Sequence, residues 1–92
     1  MIQAGELTLL GGESVAGLNR LLELGADCNL RLYSFQGGVI GGSLWQTNTQ
    51  NAGINCFLDF QSDGNLVLYD GDGQALWASG TSGTPDATLK IQ

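Results

Sequence analysis

The sequence contains no histidine, and it has three Lys and Arg residues against nine Asp and Glu, which gives a net charge of -6 at neutral pH. Without histidine, the chain lacks the commonest general base and a frequent transition-metal ligand. So few cations cannot supply the positive field that phosphate backbones or anionic lipid surfaces require. We therefore expect no metal site, no cofactor, and no nucleic-acid or membrane partner.

Long apolar runs are also missing, because no stretch approaches the ~20 residues of a membrane-spanning helix. Hydrophobic residues make up 42% of the chain and charged residues 13%, a composition that excludes a disordered acidic tail. One proline and 15 glycines among 92 residues favour short strands joined by tight turns. The sequence therefore predicts one all-β domain over residues 1–92.

The two cysteines, Cys28 and Cys56, leave two interpretations open. They could form one disulfide, since small oxidised domains often need a covalent link that their core cannot replace. They could instead be two buried free thiols.

The chain repeats itself, and a fixed repeat period is a strong indicator of architecture. The spacing drifts by a few residues, which indicates loops of different length between equivalent strands. The matching segments are DCNLRLY (27–33) with DGNLVLY (63–69), LWQTNT (44–49) with LWASGT (76–81), and FLDFQ (57–61) with TLKIQ (88–92).

Alternating runs rich in β-formers are separated by glycine-rich breaks. The clearest unit is a hairpin in which Asp63 and Gly64 form the turn between two alternating runs. The predicted strands cover residues 6–10, 18–23, 29–33, 44–46, 56–61, 66–70, 75–78 and 87–91, and the breaks include Gly11-Gly12, Gly37-Gly38, Gly41-Gly42 and residues 71–73 and 80–83.

The hairpin has two chemically different faces, because side chains alternate across a strand. Leu58, Phe60, Leu66 and Leu68 are predicted to face the core. The other face combines amides, a carboxylate, a phenol and one aliphatic contact, which suits an uncharged polyhydroxylated ligand such as a hexopyranose. Its residues are Gln61, Asp63, Asn65, Val67 and Tyr69.

This Gln-x-Asp-x-Asn-x-Val-x-Tyr pattern resembles the signature of the monocot mannose-binding lectins, also called bulb-type or B-lectin domains. The resemblance covers nearly the whole chain, and residues 4–14 are similar to the family's opening strand and turn. It implies a β-prism II fold, in which three antiparallel sheets surround a pseudo-threefold axis. It also implies a disulfide between Cys28 and Cys56, and a core position for Trp45 and Trp77 rather than a role in stacking on sugar.

The resemblance implies a role for each residue of the signature, without a metal. Asp63 and Asn65 would bind the axial O2 of mannose, Gln61 would bind O3 and Tyr69 would bind O4. Val67 would pack against the sugar carbons.

The first repeat departs from this signature. Asp27, Asn29 and Tyr33 are kept, but Gly25 replaces the glutamine and Arg31 replaces the valine. A guanidinium group removes the apolar contact and can pair with a nearby acid such as Asp27. We expect this degenerate site not to bind mannose, and Arg31 to be a locally paired surface charge rather than the contact for an anionic ligand.

The third repeat is only begun, since residues 88–92 align with the strand that ends on the signature's glutamine. Three repeats of this period need about 108 residues. The chain is therefore expected to be a fragment, or to be completed by a neighbouring chain. Unpaired strand edges, and the family's tendency to exchange terminal strands, favour a homo-oligomer formed by strand exchange or edge pairing.

The leading functional hypothesis is a non-catalytic lectin that recognises mannose-containing glycans through one intact site. The alternative is a structural or assembly protein that uses a lectin-like prism for protein contacts. A glycosidase is disfavoured, because Asp63 belongs to the binding signature and the other acids fit solvated turns and strands. If the cysteines are bridged, we expect an extracellular location.

Overall fold

A computed structural model describes residues 2–81, 83 and 88–89, and within these residues the chain is built from strands and turns with no helix. The strands form three antiparallel sheets, in the orders β2-β7-β8-β9, β3-β4-β5-β6 and β1-β10. The all-β prediction is confirmed. The strands are β1 (Ile2–Gln3), β2 (Leu7–Leu10), β3 (Ser14–Ala16), β4 (Arg20–Leu24), β5 (Leu30–Gln36), β6 (Val39–Gln46), β7 (Phe57–Phe60), β8 (Leu66–Tyr69), β9 (Ala75–Ala78) and β10 (Thr88–Leu89).

The hairpin of β7 and β8 forms as its alternation predicts. Leu58 lies opposite Leu68, and Phe60 lies opposite Leu66. Leu58 and Leu68 are completely buried and Phe60 nearly so, whereas Leu66 is half-buried. One face of the hairpin therefore packs into the core and leaves the other face free for the polar residues of the signature.

The core lies between the two four-stranded sheets. Leu24 and Leu30 from one sheet and Leu58 and Leu68 from the other belong to one buried cluster. Full burial of each such leucine side chain contributes about 1.5 to 3 kcal/mol. The disulfide between Cys28 and Cys56 is part of this cluster, with a Cα–Cα distance of 5.5 Å. The implied disulfide is thus present, and the alternative of two free thiols is wrong.

The strand predicted over residues 18–23, before the first repeat, is observed as β4 at Arg20–Leu24. The predicted break at Gly41-Gly42 is wrong, because both glycines lie within β6. Gly41 lies beside Ser34, where the pairing of β5 with β6 is irregular, and a Cβ atom there would meet Ser34 Oγ, so this glycine reflects close approach within the sheet rather than a turn. Two short strands, β1 and β3, were too brief to predict from alternation.

The two tryptophans contact each other edge to face, with ring centroids 5.5 Å apart. Trp77 is half-buried and packs against the core cluster, whereas Trp45 is 42% exposed. The prediction that both lie in the core is therefore wrong for Trp45. Its strand β6 is the edge of its sheet, and the third sheet, as far as the structure describes it, contributes only two strands of two residues to cover it.

The start of the third repeat pairs with the start of the chain. Leu89 lies opposite Ile2, so β10 pairs antiparallel with β1, in the same way as β7 pairs antiparallel with β2. The predicted strand over residues 87–91 is observed at Thr88–Leu89, and its remainder lies outside the described residues. The division of the chain as one domain over residues 1–92 stays a prediction.

Candidate carbohydrate-binding site

The five residues of the intact signature lie on the β7–β8 hairpin and its connecting loop. Gln61, Asp63 and Asn65 belong to the loop, and Val67 and Tyr69 lie on β8. The loop closes on itself, since the Gln61 backbone N–H donates to the Asn65 carbonyl at 2.8 Å. The turn needs a left-handed residue, which Gly64 provides with φ of 90°.

Asp63 and Asn65 are fixed by hydrogen bonds that leave one polar atom of each free. Asp63 Oδ1 accepts the Asn65 backbone N–H at 2.9 Å. Asn65 Oδ1 accepts from Ser79 Oγ at 3.1 Å and from the backbone N–H groups of Gly80 and Thr81 at 3.1 and 3.2 Å. Among the described residues, neither Asn65 Nδ2 nor Asp63 Oδ2 has a protein partner. The same turn thus carries a free donor on Asn65 and a free acceptor on Asp63.

The segment that holds Asn65 was not identified as functional from the sequence. Ser79 and Thr81 follow Trp77, and the Thr81 hydroxyl donates to the Gly64 carbonyl at 2.6 Å. Their hydroxyls also contact each other at 2.7 Å. The repeated Ser/Thr-x-Thr pattern after each tryptophan was the available signal, but its role emerges only when β9 is paired with β8.

Gln61 and Tyr69 bond to each other on the polar face of the hairpin. Gln61 Nε2 donates to the Tyr69 hydroxyl, and the Tyr69 ring stacks on Phe57 with centroids 5.3 Å apart. Val67 lies between Gln61 and Tyr69 along this face and is 3% exposed. That Val67 packs against the sugar carbons stays a prediction.

The degenerate site of the first repeat has the same turn, but the Arg31 side chain bonds to its aspartate. Asp27 Oδ1 accepts the Asn29 backbone N–H at 3.1 Å, and Asp27 Oδ2 forms an ion pair with Arg31 Nη2 at 3.0 Å. The Arg31 guanidinium beside Asp27 holds the pKa of that carboxyl below its ordinary value, against the opposing effect of burial. The prediction of a local pair between these two residues is confirmed.

Arg31 also lies where a glutamine side chain would begin. A Cβ atom at Gly25 would lie 2.5 Å from Asp27 Oδ1 and 2.9 Å from Arg31 Nη1. Tyr33, at the far end of the site, contacts Glu23 through its hydroxyl at 3.5 Å. The side chains of the retained residues are therefore engaged by neighbouring groups, Asp27 by Arg31 and Tyr33 by Glu23.

Asn29 of the first repeat is completely buried and bonded at both ends of its amide. Its Oδ1 accepts from Thr47 Oγ1 and the Thr49 backbone N–H, both at 3.2 Å. Its Nδ2 donates to Gln46 Oε1 at 2.8 Å. The repeated segments LWQTNT and LWASGT already match Gln46 with Ala78, but the bond from Asn29 to Gln46 becomes visible only in the structure.

Other site types are not found in the part of the chain that the structure describes. No cluster of three or more metal-ligating side chains is present among those residues. No helix there is long and apolar enough to span a membrane.

Comparison with known proteins identifies relatives of this arrangement, although no protein-family model matches the chain. A mannose-specific lectin of Colocasia esculenta is 38% identical over 74 residues, which are 80% of this chain and 30% of that relative. The chain thus spans less than a third of the length of this curated relative.

Solved structures give the same result at the level of the fold. The mannose-specific agglutinin of snowdrop (Galanthus nivalis), solved with methyl-α-D-mannoside, has 38% identity and a TM-score of 0.73, covering 84% of this chain and 66% of its own. The Polygonatum cyrtonema lectin, solved with a monomannoside, has 33% identity and a TM-score of 0.71, covering 87% and 69%. The fold is of the β-prism II type, and lectins are a non-catalytic class. The chain belongs to the monocot mannose-binding lectin family.

Proposed function

We propose that the chain binds mannose-type sugars through Gln61, Asp63, Asn65, Val67 and Tyr69. The observation that carries this proposal is the free Asn65 Nδ2 donor beside the free Asp63 Oδ2 acceptor, on a turn whose geometry is fixed by three bonds to Asn65 Oδ1. A sugar hydroxyl both donates and accepts a hydrogen bond, so one hydroxyl can satisfy both atoms. A neutral sugar of this type is recognised through satisfied hydrogen bonds rather than through charge complementarity.

The rest of the face supports two further contacts. Gln61 and Tyr69 bond to each other, and a sugar would exchange that bond for bonds to its O3 and O4 hydroxyls. When the pair separates, Val67 becomes available to the sugar carbons. An open cavity of about 520 Å³, lined in part by Ser62 and Asp63, leaves room beside the turn for the remainder of a glycan.

We expect one such shallow site to be weak, with a dissociation constant of about 1 mM, near 4 kcal/mol of binding free energy. Useful binding of glycans would then depend on several sites acting together. The solved relatives support the choice of sugar, because the snowdrop lectin is complexed with methyl-α-D-mannoside.

The test is a titration of the ¹⁵N-labelled protein with methyl α-mannoside, followed by NMR. We expect millimolar shifts at residues 61–69, and a loss of response in Asn65→Ala. Methyl α-glucoside, which differs in the configuration at C2, is the ligand control and should bind at least about tenfold more weakly, because its O2 cannot meet Asp63 and Asn65 together. Absence of any shift at tens of millimolar mannoside would disprove the proposal.

The alternative function, assembly through protein contacts, is favoured by one observation. All eight residues of β6 are exposed, the strand carries no charged residue, and in the described part of the chain it pairs with β5 alone. An uncharged, unprotected edge of this length can pair with a second copy of the chain. We therefore propose a homo-oligomer, by edge pairing or strand exchange, which would also supply several sugar sites.

Sedimentation at micromolar concentration tests this assembly. Oligomers that are lost in Ile40→Lys, at the exposed edge, would support pairing through β6, and Lys at exposed Leu18 is the matched control. A monomer at all concentrations would contradict it. Ordered assemblies without any mannoside response would favour the structural function over the lectin function.

We also propose that the chain functions in an oxidising, extracellular compartment. The Cys28–Cys56 disulfide supports this, because such bonds persist mainly outside the reducing cytosol. The mass of the intact protein, isolated from its source under alkylating conditions, should show the bridge; two alkylated thiols would contradict the proposal.

A further inference from the structure

The residue that follows each tryptophan occupies the same place in both sheets. Gln46 on β6 lies opposite Arg31, and Ala78 on β9 lies opposite Val67. Arg31 and Val67 are themselves equivalent, since each is the fourth residue after the aspartate of its repeat. The two positions therefore face the same part of the two turns, with a long amide side chain in one and a methyl group in the other.

In the first repeat, the long side chain uses the asparagine donor. The Thr49 N–H bonds to Asn29 Oδ1, which fixes the orientation of the amide and directs Nδ2 away from that strand. Gln46 Oε1 accepts from this Nδ2 at 2.8 Å. The Asn29 side chain is completely buried, so no donor remains for a ligand.

In the second repeat, the same orientation leaves the donor free. The Thr81 N–H bonds to Asn65 Oδ1 at 3.2 Å, the same distance as in the first repeat. Ala78 has no acceptor in its side chain, and Asn65 is only half-buried. The turn and its Ser/Thr support are thus alike, and the difference lies in residue 78.

We propose that Ala78 determines whether the sugar site is available: its small side chain leaves Asn65 Nδ2 free for ligand, and a glutamine there would occupy that donor as Gln46 does. This inference rests on the proposed sugar-binding function. Ala78 acts through Asn65 and is a permissive position rather than a ligand contact. A glutamine at 78 would compete with the sugar at high effective concentration, because it is held on the adjacent strand.

The test compares Ala78→Gln with Ala78→Met, whose side chain has a similar length but no amide oxygen. In Ala78→Gln we expect the dissociation constant for methyl α-mannoside to rise about tenfold, the loss of a net hydrogen bond to a donor that is already satisfied. The Asn65 side-chain amide signals should also shift in the absence of sugar. In Ala78→Met the sugar-free amide signals should stay near their wild-type positions, and the affinity should fall less than threefold.

Two outcomes would overturn the inference. Equal weakening by glutamine and methionine would show that bulk, and not the hydrogen bond, closes the site. Wild-type affinity together with unshifted Asn65 amide signals in Ala78→Gln would show that no closure occurs. If the wild-type protein ignores mannoside, the proposed function fails, yet the sugar-free Asn65 shift still reports separately whether residue 78 captures the donor.

Discussion

The two repeats of this chain build the same turn and leave it in opposite states. In the first, Asp27 is bonded to Arg31 and Asn29 to Gln46, so neighbouring side chains occupy the polar atoms. In the second, Asp63 and Asn65 each keep one free polar atom at the surface. The comparison teaches that the aspartate and asparagine of the signature are first of all structural, because both repeats need them for the turn. Whether their polar atoms are available to a ligand depends on the neighbouring side chains.

The disulfide gives the largest expected effect on this comparison. Cys28 lies in the first turn, at the position of Gly64, and holds a left-handed φ of 71°. Replacing both cysteines by alanine should lower the free energy of unfolding by about 3 to 4 kcal/mol, since the bridge closes a loop of 28 residues. Urea unfolding measures the loss.

Hydrogen exchange then shows whether the two turns respond differently. In the variant lacking both cysteines, amide protection should fall more around residues 25–31 than around residues 61–67, because the second turn has no covalent tie. Chemical reduction of the wild-type protein is the control for the cavity that alanine leaves. Equal loss of protection in both turns would contradict the asymmetry.

A matched pair of asparagine variants should separate structure from binding. Asn29→Ala should cost about 2 to 3 kcal/mol of stability, because Asn29 is completely buried and its removal leaves Gln46 and the Thr49 N–H without this hydrogen-bond partner. Asn65→Ala, at a half-buried position, should cost about 1 kcal/mol and should abolish the response to mannoside. Thermal unfolding and NMR titration of both variants measure the two effects. If Asn65→Ala were unstable but still bound the sugar, Asn65 would be a structural residue and not a sugar-binding one.

Most of the fold was predictable from the sequence, because its signals are local. Alternation in residues 57–60 and 66–69, with Asp63 and Gly64 between them, specifies a hairpin and its buried face. Gly41 was misassigned because glycine marks both turns and close strand contacts, and only the distance to Ser34 distinguishes the two. The exposure of Trp45 depends on how much of the third sheet covers it, which no local pattern reports.

The residues of the candidate site could be predicted from the sequence, but their hydrogen bonds and burial could not. The signature identifies Asn65, but its three supporting bonds come from residues 14 to 16 positions later in the chain. Val67 is buried on the face where Gln61 bonds to Tyr69, eight residues later. These contacts join residues that are distant in the sequence, and they become visible only once the strands are paired.

Restoring the first site is a stricter test of the comparison. In a background of Asn65→Ala, the triple change Gly25→Gln, Arg31→Val and Gln46→Ala should produce a millimolar response to mannoside at residues 25–33, a gain of at least about tenfold, or 1.4 kcal/mol. Gly25→Gln supplies the missing amide, and Gln46→Ala frees the Asn29 donor. Arg31→Val removes the guanidinium 2.9 Å from a Cβ at position 25 and releases Asp27, whose Oδ1 lies 2.5 Å from that Cβ and must rotate away. The double variant that retains Gly25 is the control and should respond more weakly. No response in a folded triple variant would show that other features close this turn.

The smallest expected effect is the pH dependence of the Asp27–Arg31 pair. Because Arg31 lowers the pKa of Asp27 in the folded chain, the pair contributes stability above the ordinary pKa of 3.8, and this is lost as the pH falls through the folded value. Both side chains are partly exposed, so the contribution should be below about 1 kcal/mol. In urea unfolding, the stability difference between wild type and Arg31→Gln should shrink from pH 6 to pH 2.5. Arg20→Gln, a change of the same charge away from Asp27, should show no such trend. A difference that grows on acidification would contradict the pair, and with it the account of why the first turn is closed.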